Sequence, residues 1–208
     1  MMLLKTSTNS ILQSNPLSGN LDPILAAQGI SWFKRKAVTV GTVHTHLKSS
    51  TDESGVESLF VKQLLANVAG NSETRVLTWE ETKVNDPIYG HVISKARRVK
   101  PEEINIPFLK EGWTDETKEH GVVEIHVSSD TPKSGATWTE HQTWGVEVIN
   151  NERRYARHVK FTGPRGEDVE IKMFYDYSAY CLDLDVLLSL LIPHTSSWSR
   201  LVVQVEST

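Results

Sequence analysis

The chain of 208 residues has little cysteine and no long apolar run. Its single cysteine, Cys181, excludes a disulfide within the chain and a metal cluster built from cysteines alone. The longest apolar stretch, Val186 to Ile192, is far shorter than the roughly 18–20 residues of a membrane-spanning helix. The first residues also lack the apolar core of a signal peptide. We therefore expect a cytoplasmic protein that has no membrane partner.

An excess of positive charge is also missing. The chain has 22 Lys and Arg residues against 26 Asp and Glu residues, which gives a net charge of −4. Proteins that coat nucleic acid usually carry a basic excess, so we expect no nucleic-acid partner. The Gly-x-Gly-x-x-Gly fingerprint, the phosphate loop and the Gly-x-Ser-x-Gly elbow are absent as well. We predict that the protein uses no cofactor.

Alternation of apolar and polar residues is the dominant pattern that is present. It predicts eight strands, which are Val38–Leu47, Glu57–Ala66, Thr74–Thr82, Ile88–Val99, Gly121–Ser128, Thr137–Ile149, Glu152–Phe161 and Asp168–Tyr177. Short turns such as Asn150-Asn151 join most of them, so neighbours in sequence should pair antiparallel. Closure into an up-and-down barrel would remove the exposed edges of such a sheet. A two-sheet sandwich is the alternative.

The remaining segments divide the chain into three parts. Asp22-Pro23 is typical of a helix start, and we predict one helix from there to Ala37. Residues 1–20 are interpreted as a flexible arm or a degenerate first strand, 21–178 as the barrel domain and 179–208 as an irregular C-terminal tail. The fold class is thus all-β, a single antiparallel barrel with an early helix. Residues 100–119 break the strand rhythm, and one helical turn is expected at Thr114 to Glu119.

Side chains that alternate on the last three strands are candidates for a cavity lining. If one face of each strand points inward, the cavity is apolar with a few polar tips, as in sites for small organic molecules. The predicted ligand-binding residues are Trp138, Gln142, Trp144, Met173, Tyr175 and Tyr177. The alternative is a packed core in which Arg157 pairs with Glu140 near one rim.

Acid–base chemistry on these strands would fall to Tyr155 and Arg157, our candidate catalytic residues. Tyr155 can exchange a proton, and Arg157 can stabilise negative charge that develops on a carbonyl or enolate oxygen. His158 should lie on the opposite face of the same strand, so we prefer the other two. His44 and His46 share a strand face and could hold zinc with a third ligand, but we interpret them as surface residues and predict no metal site.

Several stretches resemble a family of fungal lipocalin-like proteins, which are small calycin-type barrels, some of them encoded in specialised-metabolite gene clusters. The matching stretches are Asp22–Ala37, Glu73–Trp79, Ile88–His91, Phe108–Trp113, Glu119–Val122, Trp144–His158 and Tyr175–Tyr177. The resemblance covers roughly residues 20–178. It implies a lipocalin-like barrel that receives a small hydrophobic metabolite.

Three functions remain open on these grounds. The protein could bind a hydrophobic intermediate and act as a cofactor-free cyclase or isomerase by holding it in a reactive shape. Alternatively, it could be a non-catalytic binding or carrier protein with the same cavity. A chain whose barrel no longer closes is the third hypothesis. The sequence leaves open whether the protein is an enzyme and whether it forms a homodimer.

Overall fold

Ten antiparallel strands form one curled sheet in the computed structural model, which describes residues 7–41, 43–65, 68–86 and 88–178. The strands are β1 (Ser7–Gln13), β2 (Val43–Thr51), β3 (Glu57–Leu65), β4 (Val68–Val76), β5 (Thr82–Asp86), β6 (Gly90–Val99), β7 (Val122–Ser129), β8 (Thr139–Ile149), β9 (Glu152–Thr162) and β10 (Asp168–Tyr177). Their order in the sheet is β4-β3-β2-β1-β10-β9-β8-β7-β6-β5. The predicted all-β fold with up-and-down connections is confirmed. The predicted tail, 179–208, lies outside the described residues.

The two ends of the sheet approach each other at the seam between β4 and β5. The chain that leaves β4 crosses to β6, where Thr78 bridges Arg97 and the Trp79 N–H donates to the Ala96 carbonyl at 2.8 Å. The Arg75 guanidinium on β4 also donates to the Ser94 hydroxyl at 2.6 Å. The result is a curled half-barrel, which is consistent with the lipocalin-like fold that the resemblance implies.

Two strands, β1 and β5, were not among the eight predicted. β1 pairs with both β2 and β10, so residues 7–13 lie in the middle of the sheet, and Ile11 is buried between Thr45 and Tyr177. The predicted strand Thr74–Thr82 is wrong in its extent, because β4 ends at Val76 and β5 begins at Thr82. Between them Trp79 has a φ of 64°, a left-handed conformation that turns the chain.

The predicted single helix is two helices. They are α1 (Asp22–Ala27) and α2 (Trp32–Val40), and Gly29 separates them with a φ of 81°, which ends the first helix. α1 covers one end of the barrel, where Ile24 packs into the interior core. In the described part of the chain, no helix is long and apolar enough to span a membrane.

The segment between β6 and β7 packs on the outer face of the sheet. It contains a short 3-10 helix (Pro101–Glu103), α3 (Pro107–Lys110) and α4 (Asp115–His120), the last of which confirms the predicted helical turn. A further short helix, α5 (Thr131–Ser134), joins β7 to β8. The segment between β6 and β7 forms a second hydrophobic core with the outer face of the sheet. This core consists of Val99, Ile104, Leu109, Trp113, Val122, Ala156 and Phe174. The sheet therefore has one core inside the barrel and another outside it.

Gly145 on β8 is a point at which this outer segment lies directly against the sheet. A Cβ atom at Gly145 would lie 2.7 Å from Thr117 Cγ2 and 2.9 Å from Trp113 Cε3. We expect Gly145→Ala to displace the segment and to lower the free energy of unfolding by about 1–3 kcal/mol, as overpacking does. Urea denaturation would measure the change. An unaltered midpoint would show that the segment does not pack on Gly145.

Candidate functional site

Two lobes of one cavity lie inside the barrel, next to α1. Their volumes are about 100 Å³ and about 140 Å³. Seven residues line both lobes: Gln28, Gln63, Ile88, Tyr89, Glu140, Gln142 and Arg157. Five of these seven side chains are amides or charged groups, so the cavity is more polar than the apolar interior with a few polar tips that the sequence predicts.

The structure brings most of the predicted site residues to this cavity. Those that line it are Trp138, Gln142, Trp144, Met173, Tyr175 and Arg157. Tyr177 is half exposed at the end of β10 and lines neither lobe. Tyr155 opens instead onto a separate compartment at the opposite end of the barrel.

The Arg157 side chain is held between two aromatic rings. Its guanidinium carbon lies 3.9 Å from the centre of the Trp144 ring and 4.9 Å from that of Tyr175. The residue is 7% exposed, and its Nε and Nη2 atoms are buried without a hydrogen-bond partner among the described residues. Cation–π contacts stabilise the charge but leave the N–H groups, which lie in the plane of the guanidinium, without acceptors. Arg157 is therefore oriented by its neighbours and still has donors to offer.

Glu140, the predicted ion-pair partner of Arg157 in a packed core, has other partners. Its two carboxylate oxygens accept hydrogen bonds from Nε2 of Gln28, at 3.1 Å, and Nε2 of Gln142. Burial raises the pKa of the Glu140 carboxyl, against the opposing effect of these hydrogen bonds and of the charges on Arg75 and Arg157. Arg157 thus acts on Glu140 through its charge, and no direct ion pair joins them in the described structure.

Gln28 is a cavity residue that sequence reasoning missed. It follows α1 directly and reaches the barrel interior because α1 covers that end of the barrel. The alternation of apolar and polar residues shows which side of a sheet a strand residue faces. It therefore gives no indication that a residue at the end of a helix, such as Gln28, reaches the cavity. Tyr89 was missed as well: the predicted strand Ile88–Val99 included it, but the structure places it in the turn between β5 and β6.

The opposite compartment has a volume of about 320 Å³. Tyr155 lines it together with Arg98 and His120, and Trp144 borders both this compartment and the first lobe. Burial raises the pKa of the Tyr155 hydroxyl well above its ordinary value, which keeps the group protonated. Tyr155 and Arg157 share a strand face, as predicted, but they open onto different cavities.

His158 lies on the outer face of β9, as the alternation predicted, and is 0% exposed. Its ring stacks on Trp113 with centroids 4.0 Å apart, and its Nδ1 atom is 3.0 Å from the Phe108 carbonyl oxygen. Its Nε2 atom is 3.0 Å from Oε1 of Glu147, which also accepts from Nζ of Lys172 at 2.7 Å. These contacts form a polar cluster inside the outer core, which anchors the outer segment to the sheet.

Two further histidines of the described residues, His126 and His141, lie next to each other on the sheet. Within residues 7–41, 43–65, 68–86 and 88–178, no group of three or more His, Cys, Asp or Glu side chains could hold a metal ion. His126 and His141 face each other across β7 and β8, with ring centroids 4.3 Å apart. Burial and the neighbouring ring lower the pKa of His126 to about 4, and burial lowers that of His141. His126 is therefore neutral near pH 7.

Glu147 gives the fold a defined dependence on acid. Burial raises the pKa of its carboxyl, but the hydrogen bonds and charges of His158 and Lys172 outweigh this and hold the pKa below the ordinary value of 4.5. Such a carboxyl stabilises the fold fully above its unfolded pKa, and this contribution is lost as the pH falls through the folded pKa. We therefore expect the stability gap between the wild type and Glu147→Gln to shrink below about pH 4.5.

Urea denaturation at stepped pH values, from neutral to acidic, would measure that gap. The amide introduced by Glu147→Gln does not titrate, so the variant lacks the contribution of the Glu147 carboxyl over the whole pH range. A gap that stays constant across the acid range would contradict the prediction.

The sequence is similar to one curated protein over most of its length. It is 28% identical over 165 residues to "Probable pericyclase scpY" from Mollisia scopiformis, an alignment that spans 77% of this chain and 84% of that protein. No family model matches the chain, and no solved structure matches it. The similarity therefore concerns most of the length of both proteins rather than a short motif.

Proposed function

We propose that the protein binds a small hydrophobic intermediate of fungal specialised metabolism and accelerates its cyclisation or isomerisation without a cofactor. The observation that carries the proposal is Arg157, a buried guanidinium that lines a cavity with aromatic walls and has two nitrogens, Nε and Nη2, without a hydrogen-bond partner among the described residues. The similarity to a protein named as a probable pericyclase supports this class of reaction. Pericyclic reactions redistribute electrons around a ring of atoms and consume no redox or group-transfer cofactor.

The cavity residues have two separate tasks in this scheme. The rings of Trp138, Trp144 and Tyr175 hold the apolar body of the substrate so that its reacting ends lie close together. Arg157 donates to a carbonyl oxygen conjugated with the reacting bonds and stabilises the negative charge that this oxygen gains in the transition state. All atoms of the substrate remain in the product, so substrate and product have the same mass.

A metabolite extract tests this proposal directly. The extract comes from a strain of the source organism that lacks the gene, and mass spectrometry follows it with and without the purified protein. Conversion of one compound into another of identical mass supports the proposal, provided that Arg157→Gln protein does not catalyse it. A compound that co-purifies with the protein and is released unchanged would instead identify a carrier. An extract left wholly unaltered and unbound would contradict both functions.

A further inference from the structure

The cavity contains an unmet acceptor as well as unmet donors. Gln28 is 8% exposed and lines both lobes, and its Oε1 atom is buried without a hydrogen-bond partner among the described residues. We infer that the ligand carries a hydroxyl or N–H group, which donates to Gln28, in addition to the carbonyl that accepts from Arg157. This inference rests on the proposed function, because it assigns a second contact within the same cavity.

The orientation of the Gln28 amide follows from a chain of hydrogen bonds that begins at an indole. The Trp144 Nε1–H group can only donate, so Oε1 of Gln142 accepts it, at 2.6 Å. Nε2 of Gln142 then donates to one oxygen of Glu140. The other oxygen of Glu140 accepts a hydrogen bond from Nε2 of Gln28, at 3.1 Å, so the amide nitrogen of Gln28, and not its oxygen, pairs with Glu140. This series of hydrogen bonds therefore leaves the carbonyl oxygen of Gln28 without a partner among the described residues.

The two unmet sites define a class of compound. A conjugated ketone, lactone or quinone supplies the acceptor for Arg157, and a hydroxyl or N–H substituent on the same skeleton supplies the donor for Gln28. A hydrocarbon, or a carbonyl compound whose hydroxyl is methylated, leaves the Gln28 oxygen buried and unpaired. Such analogues should bind about tenfold or more weakly, because a site built for a hydrogen bond rejects ligands that cannot make it.

The position of Gln28 adds a structural consequence. Gln28 follows α1, which covers the end of the barrel, whereas Arg157 belongs to the barrel wall on β9. A ligand that contacts both therefore links the covering helix to the wall. Gln28 is in this respect a specificity-determining residue, and its partner is the donor group of the ligand.

Hydroxycoumarins and their methyl ethers test the inference. Coumarin is a rigid apolar skeleton with a conjugated carbonyl, and a hydroxyl at each ring position in turn varies the distance between acceptor and donor. The affinities of the wild type, Gln28→Leu and Gln63→Leu for each compound would be measured. Quenching of tryptophan fluorescence reports binding because Trp138 and Trp144 line the cavity. Gln63 is the matched control, since it also lines both lobes and its side chain has no buried unmet atom.

At least one hydroxycoumarin should bind to the wild type about tenfold more tightly than its ether. This ratio should fall to about one in Gln28→Leu and persist in Gln63→Leu. A substitution that alters folding or α1 in general changes the affinities for a hydroxycoumarin and for its ether equally, so such effects cancel in the ratio. Ethers that bind as tightly as every hydroxyl compound, or a preference that survives in Gln28→Leu, would overturn the inference.

Arg157→Gln separates this inference from the proposed function. This substitution should weaken the binding of a hydroxycoumarin and of its methyl ether alike, because both compounds present the same carbonyl to Arg157. Equal binding by Arg157→Gln and the wild type would reject the role of Arg157 and leave the result on Gln28 standing. If no coumarin binds to the wild-type protein, the inference is overturned, whereas the proposed function is decided by the metabolite extract.

Discussion

Arg157→Gln is expected to slow conversion of the substrate by about 100-fold or more while the protein remains folded. Removal of one preorganised donor to a developing oxyanion typically costs a factor of about 10²–10³ in rate. Glutamine retains a polar group but loses the charge, the planar fork and the stacking between Trp144 and Tyr175. Initial rates on the compound identified in the extract would measure the effect.

The stability of this variant distinguishes a functional arginine from a structural one. A buried guanidinium with two nitrogens that lack hydrogen-bond partners among the described residues lowers the stability of the empty protein, so its removal should leave the melting temperature unchanged or raise it. Arg75→Gln is the matched control, because this second cavity-lining arginine already donates to Glu73 and Ser94. Unfolding of Arg157→Gln would make Arg157 a structural residue, and an unchanged rate would exclude it from catalysis.

Strand periodicity was sufficient to predict much of the cavity wall. On the predicted strand Thr137–Ile149, the alternation places Trp138, Gln142 and Trp144 on one face, and in the structure all three residues line the cavity. The same rule separates Arg157 from His158, which are adjacent in sequence and lie on opposite sides of β9. A period of two fixes the face of every residue once the strand itself is correctly recognised.

The parts that sequence reasoning missed depend on contacts between distant segments. β1 is weakly patterned and is stabilised by pairing with β2 and β10, which are remote in sequence. Gln28 reaches the cavity only because α1 covers the end of the barrel. No periodicity in the sequence predicts that α1 packs there. Tyr155 and Arg157 share a face, but their separation into two compartments depends on Trp144, which lies between the cavities.

Glu147→Ala is expected to lower the free energy of unfolding by about 3–5 kcal/mol, which is the usual effect of breaking a buried ion pair from one side. Glu147 is 1% exposed and accepts from both His158 and Lys172. Its loss leaves Nε2 of the fully buried His158 without this partner and opens a void beside that ring. Lys172 is partly exposed and can turn to solvent, so most of the cost falls on His158. Urea denaturation monitored by circular dichroism would measure the change.

Glu170→Ala provides the matched control for this experiment. Glu170 also pairs with a lysine, Lys160, at 2.9 Å, but its side chain is 42% exposed. Water replaces such a surface pair at little cost, so the control should lose less than about 1 kcal/mol. A much larger loss of stability in Glu147→Ala than in Glu170→Ala would show that the buried Glu147 cluster anchors the outer segment. The stabilisation would then depend on burial of the cluster and not on charge pairing alone. Equal losses would contradict this, because an anchor inside the outer core must be worth more than an ion pair in water.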